Sequence, residues 1–241
     1  IIDGAEYVLL DDMTIRGGRN CTHSILVKDG KGIRIRNCDI SGWGREGVQN
    51  FERLDYDHRF GAGNGSYVDR DGNPINLDPA IDIREGACEV VVERCFIHDP
   101  VSRSVSWYYH HPEGPNAVLM GCPKNSTVLR NNDFIGSDRH LWNDAVEGLH
   151  NFERHGGFNR DADVYGNFMI FANDDCIELD GGQRNVRCYD NRFESALVGV
   201  SVQGCMVGPS FVFNNWFTGM GEEFGIYGQT VKTGGGLHGA D

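Results

Sequence analysis

Lysine is scarce in this sequence, which has four lysines (Lys28, Lys31, Lys124 and Lys232) among 241 residues. Thirty-five acidic residues against 22 Lys and Arg give a formal net charge of −13 at pH 7. That balance disfavours binding to the phosphate backbone of a nucleic acid. The sequence also lacks a run of 18 apolar residues, so we expect neither a membrane-spanning helix nor a membrane partner.

The eight cysteines include no Cys-x-x-Cys pair and no other spacing typical of zinc ligands. A structural zinc site is therefore not expected. We expect Cys38, Cys95 and Cys188 to be small core residues rather than disulfide partners, because they occupy repeat positions. A signal peptide and an initiator Met are lacking too, so we expect a processed or excerpted chain that is secreted, periplasmic or displayed at a cell surface.

Helical periodicity is missing, and a strand repeat takes its place. One small polar position, followed two residues later by a bulky apolar one, recurs at Cys38, Cys95, Asn132, Asn167, Asn191 and Asn215. The last two intervals are 24 residues, and the earlier ones carry insertions. Asn suits this position because its amide can bond the equivalent Asn of the neighbouring repeat, and we expect it to tolerate the turn geometry.

A second strand precedes the repeat position in each unit, as in Ala80–Ile83, Cys176–Leu179 and, we expect, Gly225–Tyr227. The pattern predicts an all-β fold, a right-handed parallel β-helix of about seven coils that forms a single domain over residues 1–241. A β-propeller would need repeats nearer to about 40 residues and hairpin turns. Four insertions, at residues 41–79, 98–116, 135–143 and 149–163, are expected to form the walls of a groove.

Two of the second strands are acidic. In the segment 173–182 and, 31 residues upstream, the segment 142–148, Asp144 corresponds to Asp175 and Glu147 to Glu178. If the strands stack in register, Glu147 and Glu178 are neighbours on the outer face. Two neighbouring carboxylates repel each other when both are ionised. They therefore require a cation between them, an arginine that pairs with them, or a shared proton. The outer row is expected to read Asp82, Leu119, Glu147, Glu178 and Ser201.

The ways of relieving this repulsion predict different uses of the acidic outer face. A shared proton provides the acid and the base that glycoside hydrolysis requires. A calcium ion, with Asp175, Glu147 and Glu178 as candidate ligands, would neutralise a sugar acid and favour a β-eliminating lyase. The third possibility is that the acidic residues form a solvated surface with no catalytic role. No lysine lies in the four loop insertions or on the acidic strands, which disfavours a lyase with a Lys base.

The repeat and the acidic strands resemble the pectin-lyase-like superfamily of parallel β-helix carbohydrate enzymes. Within it, polygalacturonase-type hydrolases carry Asn-Thr-Asp-Gly, then Asp-Asp, Gly-His-Gly and Arg-Ile-Lys on successive coils. Here Asn143-Asp144-Ala145-Val146-Glu147 and Asp174-Asp175-Cys176-Ile177 correspond to the first two. The resemblance implies that Asp144, Asp174 and Asp175 are catalytic. Residues 198–201 have no His, and 225–227 have no Arg-Ile-Lys, so pectin itself is not implied as the substrate.

The insertions add a second set of candidates. His155 is a candidate catalytic residue, since a loop histidine can move protons. Aromatic rings can stack on sugars, and loop His, Arg and Asp side chains can bind hydroxyl groups. The candidate substrate-binding residues are Trp107, Tyr108, Tyr109, His110, His111, Arg139, His140, Trp142, Arg154 and Asp82.

Our prediction is an enzyme that cleaves glycosidic bonds of a polysaccharide or oligosaccharide through Asp144, Asp174, Asp175, Glu147 and Glu178. Hydrolysis is the first choice and a calcium-assisted lyase, with a His, Tyr or Arg set, is the alternative. A non-catalytic carbohydrate-binding β-helix is the rival from another class. No cofactor is required by this prediction, calcium being the one candidate, and no nucleic acid or membrane partner is expected.

Overall fold

The computed structural model describes residues 1–17, 21–49, 55–57, 61–63, 67–105, 107, 111–151, 153–221 and 227–233. Within these residues the secondary structure consists of β-strands, turns and bends, so the fold is all-β as predicted. In this part of the chain, no helix has the length and apolarity to cross a membrane.

Three parallel sheets account for most of the strands. The first contains β1 (Ile2–Glu6), β4 (Ile25–Lys31), β11 (Asp78–Arg84), β14 (Pro115–Gly121), β17 (Val146–Gly148), β20 (Asp175–Glu178), β23 (Val198–Ser201) and β26 (Gln229–Lys232). The second contains β2 (Leu9–Asp11), β5 (Arg34–Arg36), β12 (Val91–Glu93), β15 (Val128–Arg130), β18 (Arg160–Tyr165), β21 (Arg184–Tyr189) and β24 (Ser210–Phe213). The third contains β3 (Thr14–Arg16), β6 (Asp39–Ser41), β13 (Phe96–His98), β16 (Asp133–Ile135), β19 (Phe168–Ile170), β22 (Arg192–Glu194) and β25 (Trp216–Thr218).

The chain visits the first, second and third sheets in turn, and each strand pairs in parallel with the strand of the same sheet in the next pass. Stacked parallel strands of this kind are compatible with a parallel β-helix. The core lies between the sheets and is made of alternating apolar side chains. The inward residues of the first sheet are buried in this core or packed against it: Ile81, Ile83, Val118, Met120, Val146, Ile177, Leu179, Val200 and Val202.

A ladder of asparagines runs through the interior beside the third sheet. The side-chain amide of Asn132 donates to Asn167 Oδ1 (2.9 Å), that of Asn167 to Asn191 Oδ1 (2.9 Å), and that of Asn191 to Asn215 Oδ1 (3.0 Å). Each Oδ1 also accepts a backbone N–H from the preceding ladder residue, at 2.9 to 3.1 Å. The predicted amide ladder is therefore confirmed.

The turn next to the ladder is made by a different residue from the one we expected. The residue before each ladder position has a positive φ of 52° to 66°: Asn37, Arg94, Asn131, Gly166, Asp190 and Asn214. A left-handed residue is needed to bend the chain from the second sheet into the third, and Asn, Asp and Gly accept that conformation most readily. The ladder residue itself supplies hydrogen bonds rather than the bend.

The insertions differ in length from the predicted ranges. In the range 41–79, two antiparallel pairs form, β7 (Val48–Gln49) with β10 (Tyr67–Val68), and β8 (Asp55–Asp57) with β9 (Gly61–Gly63). Arg45 forms an ion pair with Asp78 of the first sheet (2.9 Å) and another with Asp69 of the same insertion (3.2 Å). These two ion pairs link the insertion to the sheet. The last insertion ends earlier than predicted, because β18 already begins at Arg160.

Candidate active site

Glu147 and Glu178 lie side by side on the outer face of the first sheet. Strands β17 and β20 pair with Val146 opposite Ile177, so the next residues on each strand, Glu147 and Glu178, are neighbours. The outer row continues as predicted, with Asp82 opposite Leu119, Leu119 opposite Glu147, and Glu178 opposite Ser201. The two carboxyl groups are within hydrogen-bonding distance of each other.

Three aspartates form a second group at the start of the same two strands. One carboxylate oxygen each of Asp144, Asp174 and Asp175 lie within 4.8 Å of one another, and all three residues are buried. The backbone N–H of Asp175 donates to Asp144 Oδ1 at 2.7 Å. This hydrogen bond joins the segment just before β17 to the first residue of β20. Glu147 is within hydrogen-bonding distance of Asp144, so the five carboxyl groups form one continuous cluster, which we call the carboxylate cluster.

Amide groups around the cluster distinguish its two glutamates. Glu147 Oε2 accepts hydrogen bonds from the side chains of Asn116 (3.3 Å) and Asn143 (3.1 Å). Glu178 accepts at both oxygens, from the backbone N–H of Gly148 (3.1 Å) and from the Asn151 side chain (2.7 Å). An ionised carboxylate is an acceptor only. The hydrogen bonds therefore occupy both oxygens of Glu178 and leave one oxygen of Glu147 free to carry a proton.

A single lysine brings positive charge to the cluster, and the sequence analysis missed it. Lys232 Nζ lies 2.8 Å from Asp175 Oδ2 and 3.9 Å from Asp174 Oδ1. We expected the last strand of the first sheet at Gly225–Tyr227, but that strand is β26, Gln229–Lys232, with Lys232 opposite Ser201. The acidic strands themselves carry no lysine, but Lys232 reaches their carboxyl groups from β26. His111 adds a second contact, with Nε2 3.5 Å from Asp174 Oδ2.

Burial dominates the electrostatics of the cluster. It raises the pKa of Asp144, Glu147 and Asp175 well above their ordinary values, and repulsion between the carboxyl groups adds to the effect. It also raises the pKa of Asp174, although Lys232 and His111 act in the opposite direction. Burial lowers the pKa of Lys232, but the charges of Asp175 and Asp174 raise it. The pKa of Lys232 is raised overall. The cluster therefore binds protons more readily than exposed carboxyl groups do, next to one ammonium group.

Asp180 extends the cluster toward the next strand. It is buried, and the hydroxyl of Ser201 donates to Asp180 Oδ1 at 2.7 Å. Burial, followed by the charge of Glu178, raises the pKa of Asp180 to about 7. Its position two residues after Glu178 places it on the same face of an alternating strand, yet Asp180 is not among the site residues predicted from the sequence.

The cluster lies under loops rather than in an open trough. Glu147 is 8% exposed, whereas Glu178 is partly exposed. Residues 150, 151 and 153–157 lie close to the sheet. A Cβ on Gly181 would lie 2.7 Å from the Asn151 carbonyl oxygen, and one on Gly182 would lie 2.0 Å from the Arg154 carbonyl carbon. Glycines at these two positions allow the loop to approach. A merely solvated acidic strip does not fit this burial.

Other predicted site residues fall into three groups. Trp107 and His111 lie beside Asp174, and their rings meet edge to face with centroids 4.7 Å apart. Trp142 is fully buried and stacks on Trp43 at 5.9 Å, so it offers no ring face to a sugar and belongs to the core.

The remaining candidates lie away from the carboxylate cluster or outside the described chain. Arg139, Arg154 and His155 are exposed and His140 is half-buried; in the described residues we find no hydrogen bond or ion pair from these four to the five cluster carboxyl groups. Asp82 is two strands from Glu147 in the outer row. Tyr108, Tyr109 and His110 lie outside the described residues.

The three aspartates are also the best placed oxygen ligands for a cation in the described part of the chain. The set differs from the expected one of Asp175, Glu147 and Glu178. Calcium takes about six to eight oxygen ligands. Lys232 already places a positive charge 2.8 Å from one of the three carboxylates. A lysine and a metal ion would therefore compete for this position.

Comparison with known proteins gives no match. No family model, no curated protein and no solved structure matches the chain.

Proposed function

We propose that the protein is a carbohydrate-active enzyme that hydrolyses glycosidic bonds at the carboxylate cluster. The observation that carries this proposal is the outward, neighbouring placement of Glu147 and Glu178, joined to Asp144, Asp174 and Asp175, under a partly closed loop. Glycoside hydrolysis needs one carboxyl group that holds a proton and one that is ionised. The cluster offers a candidate for each of these two roles.

The hydrogen bonds support particular roles. Glu178 is partly exposed and accepts two N–H donors, so it is our choice for the base that takes a proton from the attacking water. Asp175 is our choice for the acid that gives a proton to the leaving oxygen. Burial raises its pKa, and its Oδ1 has no hydrogen-bond partner in the described residues, so a proton there is not already shared. Glu147 shares its proton within the cluster.

We also propose that the three sheets form a right-handed parallel β-helix of about seven coils like that of the pectin-lyase-like superfamily. The strand register supports this reading. Counting along paired strands, Thr230-Val231-Lys232 on β26 takes the place in which polygalacturonase-type hydrolases carry Arg-Ile-Lys. Lys232 matches the lysine, whereas Thr230 stands in the place of the arginine. Val198 pairs with Asp175 and leaves the family's histidine without an equivalent.

A calcium-assisted lyase remains the second candidate, because Lys232 brings a positive charge to the cluster. A lyase requires a base and a cation that neutralises a sugar acid. Lys232, whose pKa is raised, suits the second task and not the first. The two reactions differ in product, since elimination leaves a conjugated unsaturated sugar that absorbs ultraviolet light and hydrolysis leaves only new reducing ends.

The test is incubation with a panel of plant, algal and glycosaminoglycan polysaccharides, read for both reducing ends and ultraviolet absorbance. We expect reducing ends without ultraviolet absorbance, abolished in Asp175→Asn and in Glu178→Gln. Asp133→Asn, at an exposed acid of the third sheet, is the matched control and should keep activity. Binding of a polysaccharide without turnover, unchanged in Asp175→Asn, would favour a non-catalytic carbohydrate-binding protein instead.

A further inference from the structure

A second groove continues the outer face of the first sheet toward the N-terminus. It has a volume of about 940 Å³, within the usual range of ligand sites, and is lined by residues of β4, β11 and the loops around them. Its floor includes Leu26 and Asp82, which are opposite each other in the same outer row as Glu147. His150 lines the groove, and the next residue, Asn151, donates to Glu178. The groove and the carboxylate cluster therefore share a wall.

Every lysine and arginine that lines the groove is already neutralised. Lys28 pairs with Asp3 (3.2 Å), Arg45 with Asp78 (2.9 Å) and Arg84 with Asp82 (2.6 Å). Asp29 and Glu85 line the groove in addition, which leaves an excess of negative charge. A ligand with its own carboxylate or sulfate would be repelled here and would find no cation to replace its lost water.

Asp82 is a buried acid on the floor of the groove. It is 3% exposed, and Arg84 Nε lies 2.6 Å from its Oδ1. A carboxylate has several acceptor positions, so a hydroxyl group of a ligand would add a hydrogen bond beside this ion pair. Sugars supply such hydroxyl groups on a neutral framework.

We infer that this groove is a binding subsite for neutral sugar units of the chain that is cleaved at the carboxylate cluster, and that the enzyme selects neutral over uronic-acid or sulfated glycans. This inference rests on the proposed function for its link to cleavage. It differs from what the resemblance alone would suggest, because Lys232 is held by Asp175 and Asp174 and the groove offers no unpaired lysine or arginine among its described residues.

The experiment measures binding by calorimetry to the full chain made inactive by Glu178→Gln. The probes are xylohexaose, mannohexaose and arabinohexaose as neutral ligands and oligogalacturonate of the same length as the anionic ligand. We expect at least one neutral probe to bind at least about tenfold more tightly than the oligogalacturonate, and Asp82→Ala to weaken it about tenfold or more, as loss of a hydrogen bond to a charged group does. Asp82→Asn keeps an acceptor and should weaken binding less.

Two further variants make the test sharper. Asp133→Ala removes an exposed acid of the third sheet and should leave binding unchanged. Leu26→Lys adds a cation beside Asp82 without removing a pair, and should shift preference toward the oligogalacturonate. Thermal unfolding of each variant shows whether it has folded.

The outcomes separate this inference from the proposed function. Tighter binding of the oligogalacturonate, no binding of any neutral probe, or binding that Asp82→Ala leaves unchanged overturns the inference, even if the active protein cleaves a polysaccharide. Asp82-dependent binding of a neutral probe, with no cleavage by the active protein of that glycan or any other, supports the subsite and removes the proposed hydrolysis.

Discussion

Asp180 provides a quantitative test of the cluster's electrostatics. Its carboxyl group is buried beside Glu178, and its pKa is raised from an ordinary value of 3.8 to about 7. An acid with a raised pKa binds its proton more tightly in the folded than in the unfolded state. Its contribution to stability is therefore complete below about pH 3.8 and is lost as pH rises through about 7.

The magnitude follows from the width of that interval. Each pKa unit corresponds to about 1.4 kcal/mol, so the free energy of unfolding should fall by about 4 kcal/mol between pH 4 and pH 8 through this one group. In Asp180→Asn this contribution disappears. The amide oxygen of Asn can still accept the hydrogen bond that the Ser201 hydroxyl now gives to Asp180. The variant should therefore gain about 4 kcal/mol relative to the parent protein between the two pH values.

The assay is urea unfolding of both proteins at about pH 4 and about pH 8, read by circular dichroism. Taking the difference between the two proteins at each pH removes contributions that they share, including those of the other cluster carboxyl groups. Asp133→Asn, at an exposed acid of the third sheet, controls for the loss of one negative charge. A difference between Asp180→Asn and the parent that stays constant within about 1 kcal/mol across this range would show that the buried-acid reasoning is wrong.

Three further predictions concern single side chains. Asn167→Ala leaves the two N–H groups that Asn132 donates to Asn167 without an acceptor, so we expect a loss of about 2–4 kcal/mol in urea unfolding, whereas Asn131→Gly, at a positive-φ corner, should cost less than about 1 kcal/mol. Lys232→Ala removes the ammonium next to Asp175, so calcium should raise the melting temperature of the variant and not of the parent protein; an equal rise in both would contradict competition for one position. Asn151→Asp should lower hydrolysis at least about tenfold with little change in melting temperature, because it replaces the donor to Glu178 with a negative charge; activity equal to the parent's would mean that Asn151 does not position Glu178.

The strand repeat made much of the fold predictable, for a physical reason. Ladder residues such as Asn167 and Asn191 must be small and polar in every pass, and inward residues must be apolar, so the pattern repeats in the sequence as it does in space. The neighbour relation of Glu147 and Glu178 followed from the same repeat, since a parallel register carries each position onto its equivalent in the next strand.

What the sequence did not predict depends on loops and on the last strand. The spacing between β23 and β26 differs from the basic repeat, so Lys232 was not assigned to the outer row although it lies opposite Ser201. Burial of the cluster was not predicted either, because it depends on loop residues such as Asn151 and His111, which contact Glu178 and Asp174. Trp142 was taken for a sugar-binding residue, since an aromatic residue of an insertion gives no sign that it will stack on Trp43 inside the core.

The asparagine ladder also limits how a protein of this kind can change in size. Because each rung amide serves the rung above and the rung below, deleting a few residues between Asn167 and Asn191 would break two sets of bonds at once. Removing or duplicating a whole 24-residue unit would join equivalent amides again and leave the stack intact. A protein of this kind should therefore gain or lose whole repeat units, whereas the loops between its strands can vary freely in length.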